Sequence, residues 1–117
     1  MNETVKTEIM MPFVEGTEVY IPVKCHMIGE GVIRVLENDE FDYEDQSVIF
    51  EFGPHDTVRT ASREFSDGTV KETAFELVSS GDNRNDEKRM LLAILRENVG
   101  LSVLIERFGK EKVWAFV

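Results

Sequence analysis

Thr17-Glu18-Val19-Tyr20-Ile21-Pro22-Val23-Lys24-Cys25-His26-Met27-Ile28-Gly29-Glu30-Gly31-Val32-Ile33-Arg34-Val35-Leu36 is the stretch on which the fold is decided. Val19, Ile21, Val23, Cys25 and Met27 share one parity, and Glu18, Tyr20, Pro22, Lys24 and His26 share the other. Successive strand side chains point to opposite faces, so this period of two specifies a strand with one face in the core. Pro22 brings no backbone donor and predicts an edge or a bulge. Gly29-Glu30-Gly31 supplies a tight turn, and Val32–Leu36 returns as the second arm of a hairpin.

Downstream, Ser47–Phe52 is a short extended run, broken by the turn formers Gly53-Pro54-His55-Asp56. Thr57–Phe65 and Thr69–Val78 flank Ser66-Asp67-Gly68, which predicts a second hairpin. A helix is expected from a cap at Asn85 or Asp86 to about Asn98, with Gly100 just past its end. Leu91, Ile94, Leu95 and Asn98 form its stripe, broadened by Met90, Leu92 and Ala93. Ser102 is the expected cap of a shorter helix that stops at Gly109, so the helical segment covers about residues 86–108. Lys112–Val117 is apolar on both parities and reads as a final interior strand, with Trp114 in the core. Upstream, residues 1–8 are polar and read as frayed or disordered. The pattern specifies an α+β chain: a curved antiparallel sheet or small, partly open β-barrel of about 5–6 strands, then a C-terminal helical pair and a closing strand.

No linker or internal repeat divides the 117 residues, so residues 1–117 are read as a single domain. No apolar run reaches the ~18 residues of a membrane helix, and the start lacks the basic and apolar regions of a signal peptide. Cys25 is the one cysteine, which rules out an intramolecular disulfide. A cytoplasmic protein away from membranes is the expectation.

Charge placement says more than the formal net charge of −10. Residues 1–56 hold 13 acids and three bases (Lys6, Lys24 and Arg34), whereas residues 57–117 hold ten of each. Between Arg34 and Arg59 there are eight acids and no base. Such a field repels a phosphate backbone, so nucleic acid is not an expected partner, and it attracts a basic protein surface.

Residues that could carry chemistry are few. Cys25 and His26 are adjacent in a strand and project to opposite faces, so they do not form a nucleophile–base pair. His55 beside Asp56 reads as a turn in which Asp56 satisfies backbone donors and His55 is exposed. No P-loop, dinucleotide fingerprint, serine elbow or zinc spacing occurs, and neither cofactor nor metal is assigned. The EF-hand order fails in the acidic stretch, where Phe41 and Tyr43 stand in place of oxygen ligands. Arg84, Lys88, Arg89, Arg96, Arg107, Lys110 and Lys112 alternate with acids and read as a solvated helix face.

These readings favour a non-catalytic interaction, inhibitory or regulatory module that binds a basic protein. Its candidate partner-binding residues are Glu37, Asp39, Glu40, Phe41, Asp42, Tyr43, Glu44 and Asp45, with the two aromatics as anchors among the acids. The alternatives are a small enzyme or ligand-binding barrel with a pocket near His26 and His55, and a structural homo-oligomer subunit joined through an apolar helix patch.

Overall fold

The computed structural model describes residues 4–15, 17–37, 41–45 and 47–116. Six strands come first: β1 (Thr4–Glu15), β2 (Thr17–Gly29), β3 (Val32–Val35), β4 (Ile49–Phe50), β5 (Thr57–Glu64) and β6 (Val70–Ser79). Three helices follow: α1 (Asn83–Glu97), α2 (Leu101–Phe108) and α3 (Lys110–Phe116).

Five of the strands close into a ring. β1 pairs with β2, β2 with β3, β3 with β5 and β5 with β6, all antiparallel, and β6 meets β1 in parallel at Met10 and Thr73. The parallel closure follows from counting, because an up-and-down ring of five strands brings its first and last strands in with the same direction. β4 lies outside the ring and pairs with β1 at Phe13 and Val14. Closure leaves the barrel without the open edge of a curved sheet. Pro22 falls where β2 has only β1 beside it, since β2 meets β3 only from Cys25 onward.

Alternation fills the interior. Ile9, Met11 and Phe13 of β1, Val23 and Cys25 of β2, Ile33 and Val35 of β3 and Val58 of β5 are buried together. Burial pushes the Cys25 thiol up to about 12, so it remains a protonated, small hydrophobe. Phe41, Phe50 and Phe52 join this cluster from the connection between β3 and β5. Phe41 and Phe50 meet edge to face with centroids 5.1 Å apart, and each also packs on Phe13.

The expected α+β barrel is present, with four differences. Thr4, Val5 and Lys6, expected to fray, pair with Met27, His26 and Cys25. The run Ile9-Met10-Met11 hides the alternation of β1, because Met10 is buried as well as its neighbours. Residues 1–3 of that expected fray lie outside the described residues.

The closing strand is instead α3. A short apolar run is ambiguous between strand and helix, and here the helix turns Val113 into a second small core with Met90, Ala93 and Leu104. That choice leaves Trp114 51% exposed. Third, α1 starts earlier than expected, because Asp82 is the cap: its side chain accepts from the Arg84 backbone N–H at 2.8 Å. α2 likewise starts behind Gly100, with no cap from Ser102, and ends at Gly109 as expected. Fourth, the buried face of α1 is not the Leu91–Leu95 stripe. It carries Asn85, Asp86, Lys88, Arg89, Met90, Leu92 and Ala93, and Leu95 is 63% exposed. Four of those seven are polar, which is why an apolar periodicity did not find the face.

The second core therefore rests on Met90 and not on Trp114. Met90→Ala should lower the stability by about 2–5 kcal/mol in chemical denaturation, the usual cost of a core truncation. Trp114→Ala and Leu95→Ala should each change it by less than about 1 kcal/mol. A larger loss at Trp114 than at Met90 would contradict this packing.

Candidate functional site

The acidic connection between β3 and β4 is held in place by α1, and α1 is held by a buried carboxylate. Asp56 closes the Gly53-Pro54-His55 turn by accepting from the Gly53 N–H at 2.8 Å. Its other oxygen accepts from the Gly81 N–H at 2.9 Å, which fixes the entry to α1. Arg89 of α1 donates to Asp56 at 2.7 Å, to the Glu51 carbonyl at 2.9 Å, to Asp86 at 2.9 Å and to Ser80 at 3.0 Å. Lys112 of α3 completes the set with 2.8 Å to Asp86. Two carboxylates thus face two cations where the barrel meets the helices, the condition under which buried charge is tolerated. The packing is close. A side chain at Gly53 would collide with Asn85 and Phe50, and one at Gly81 with the His55 backbone.

From this junction α1 reaches over the acidic connection. The Tyr43 hydroxyl donates to the Asn85 side-chain oxygen at 2.5 Å, while the Asn85 amide donates to the Pro54 carbonyl at 2.9 Å. Burial, followed by the nearby Asp82 carboxylate, pushes the Tyr43 phenol up, so it stays a neutral donor. The Arg84 guanidinium lies 4.0 Å from the Tyr43 ring centre and pairs with Asp82 at 2.7 Å. Lys88 donates to the carbonyls of Asp45 at 3.2 Å and Val48 at 2.9 Å. Its burial lowers the ammonium's proton affinity, against which Asp45, Asp42 and Glu87 act.

The connection also braces itself. Asp42 accepts from the Glu44 N–H at 3.0 Å, and Asp45 accepts from the backbone and hydroxyl of Ser47, which hold its carboxyl below the usual range.

The expected partner-binding residues divide accordingly. Glu37, Asp42 and Glu44 are exposed, and Asp45 is half-buried. Asp39 and Glu40 lie outside the described residues. The aromatics differ from their expected role as anchors: Phe41 is 7% exposed in the barrel core, and Tyr43 packs edge to face on Phe50. Rings surrounded by Phe13 and Phe50 gain more from the core than from water, so they tie the connection inward. The helix bases also differ from a solvated face, since Lys88 and Arg89 are buried.

Sequence reasoning missed Asp82, Arg84, Asn85 and Lys88 as the clamp. Asn85 and Lys88 are three residues apart, which places them on one helix face, and that spacing was the available signal.

The histidines are apart from this construction. His55 is exposed and 3.2 Å from Glu37, and its φ of 72° is held by its N–H bonding to the Val35 carbonyl. His26 of β2 stands opposite Arg34 of β3. Four surface grooves are lined by other residues, among them one of about 320 Å³ between Tyr20, Arg63 and Phe75, and one of about 420 Å³ behind the acidic connection. Among the described residues, no group of three or more His, Cys, Asp or Glu side chains is arranged to hold a metal ion. No described helix is long and apolar enough to cross a membrane. No family model, curated protein or solved structure matches the chain.

The junction makes the fold acid-sensitive. Burial alone would raise the Asp86 carboxyl, but its bonds from Lys112 and Arg89 outweigh this and hold it below its ordinary value. A carboxyl depressed in the folded state contributes stability above its unfolded value of about 3.9, and that contribution is lost as pH falls through the folded value. The melting temperature should therefore drop between about pH 6 and pH 3, and Asp86→Asn should remove part of that drop. An identical pH dependence in the variant would show that Asp86 is not one of the groups responsible.

Proposed function

We propose that the protein is a non-catalytic binding module whose acidic connection, residues 37–45, receives a basic protein partner. The observation that carries this reading is the clamp: Tyr43, Asn85 and Lys88 hold the backbone while Glu37, Asp42 and Glu44 face solvent. A fixed array of carboxylates attracts a cationic surface at long range and loses little side-chain and loop freedom on contact. The excess of acids in residues 1–56 extends the same field. Recognition on this reading is by charge, since Phe41 belongs to the core. A reducing compartment, the cytoplasm, suits the single buried Cys25 thiol.

Self-association is the second reading. The observation favouring it is that Leu95, Leu101 and Trp114, one on each helix, are exposed. A concentration-dependent mass in sedimentation would support it.

Binding of a pentalysine peptide, measured by calorimetry at several salt concentrations, tests the first reading. The variant Glu37→Gln/Asp42→Asn/Glu44→Gln should bind about tenfold more weakly and with a flatter salt dependence. A control with Glu30→Gln/Glu106→Gln/Glu111→Gln has the same net charge and should bind nearly as the parent does. Equal losses in the two variants would reduce the effect to overall charge and overturn the assignment to this connection.

A further inference from the structure

The groove of about 420 Å³ behind the acidic connection has an apolar wall and an acidic rim. Tyr43, Ile49, Leu91 and Phe116 supply the wall, bringing together the connection, β4, α1 and α3. Arg84, Glu87 and Lys88 line it as well. The two cations are already engaged: Arg84 pairs with Asp82 through two bonds of 2.7 and 3.1 Å, and Lys88 is turned onto the carbonyls of Asp45 and Val48. Glu87 is exposed, and no described residue forms a salt bridge with it. Asp42, Asp45 and Glu87 all lie near enough to Lys88 to act on its charge. Three carboxylates surround one ammonium there, so negative charge remains in excess.

A ligand complementary to such a groove is apolar along its length and cationic at its end. Lysine and arginine side chains have this construction, an aliphatic stem that packs and a head that stays with charge or water. We infer that this groove receives a long-stemmed basic side chain of the partner, its stem against Ile49, Leu91 and Phe116 and its head between Asp42 and Glu87. The inference rests on the proposed binding of a basic partner and adds the side chain by which that partner is selected. Charge would then set the encounter, and the stem in the groove would set the lifetime of the complex.

The test compares pentalysine with a peptide of equal length and charge built from 2,4-diaminobutyrate, whose stems are shorter by two methylenes, at about pH 6 where both are cationic. The full chain, isotopically labelled, is titrated with each while the ring signals of Tyr43 and Phe116 are followed. Pentalysine should bind about tenfold more tightly, and it alone should shift both rings. Leu91→Asn should bring the ratio of affinities to about one, and Glu87→Gln, a surface change that leaves the helix intact, should weaken both peptides. Equal affinity for the two peptides in the parent would overturn the inference and leave the charge-based reading standing. Binding of neither would overturn both. Ring shifts on adding octanoate but not pentalysine would assign the groove to an apolar anion held by Arg84 and Lys88, and would also overturn the inference.

Discussion

Asp56 and Arg89 meet at 2.7 Å with almost no access to water, and the placement of the three helices on the barrel depends on that contact. Each brings further obligations. Asp56 holds the turn before β5 and the entry to α1, while Arg89 reaches the Glu51 carbonyl, Ser80 and Asp86. Leaving one of such a pair buried without the other costs about 3–5 kcal/mol, whereas a well-packed apolar replacement of both is often neutral. The pair is therefore better understood as a device for orientation. A purely apolar seam would let α1 slide or rotate over β4, and directional bonds to fixed backbone groups admit one position.

That position decides the character of the acidic connection. With α1 in place, Asn85 stands over Tyr43 and Lys88 over the carbonyls of Asp45 and Val48. The Phe41 ring is then committed to Phe13 and Phe50. What reaches solvent is a set of carboxylates on a backbone fixed from beneath. Repulsion among like charges favours spreading such a segment, and the clamp opposes it with a buried ammonium and two ring contacts. The same clamp leaves the groove between Ile49, Leu91 and Phe116 open beside the acids.

How much of this could be read from the chain follows from how each feature is encoded. The β2–β3 hairpin was legible because Val19 to Met27 alternate cleanly and Gly29-Glu30-Gly31 turns the chain. The β5–β6 hairpin and the stop at Gly109 were legible for similar local reasons. β1 was not, since Met10 is buried together with Ile9 and Met11. The buried face of α1 was hidden by its polarity. Arg89 and Lys88 look like surface residues until Asp56 and the carbonyls of residues 45 and 48 are brought to them from 33 to 43 positions away. Phe41 and Tyr43 posed the converse problem: aromatics among acids resemble a docking motif, and only the tertiary structure turns them inward. α3 shows the limit of a short apolar run, whose backbone state was settled by a partner core around Met90.

The central claim is that the acidic connection is a fixed surface. Backbone ¹⁵N relaxation of the free protein measures this directly at Asp42, Tyr43, Glu44 and Asp45. The account predicts order parameters near the rigid-backbone value of about 0.85 there, comparable with α1. Values below about 0.6 in the intact protein, with α1 itself rigid, would contradict it.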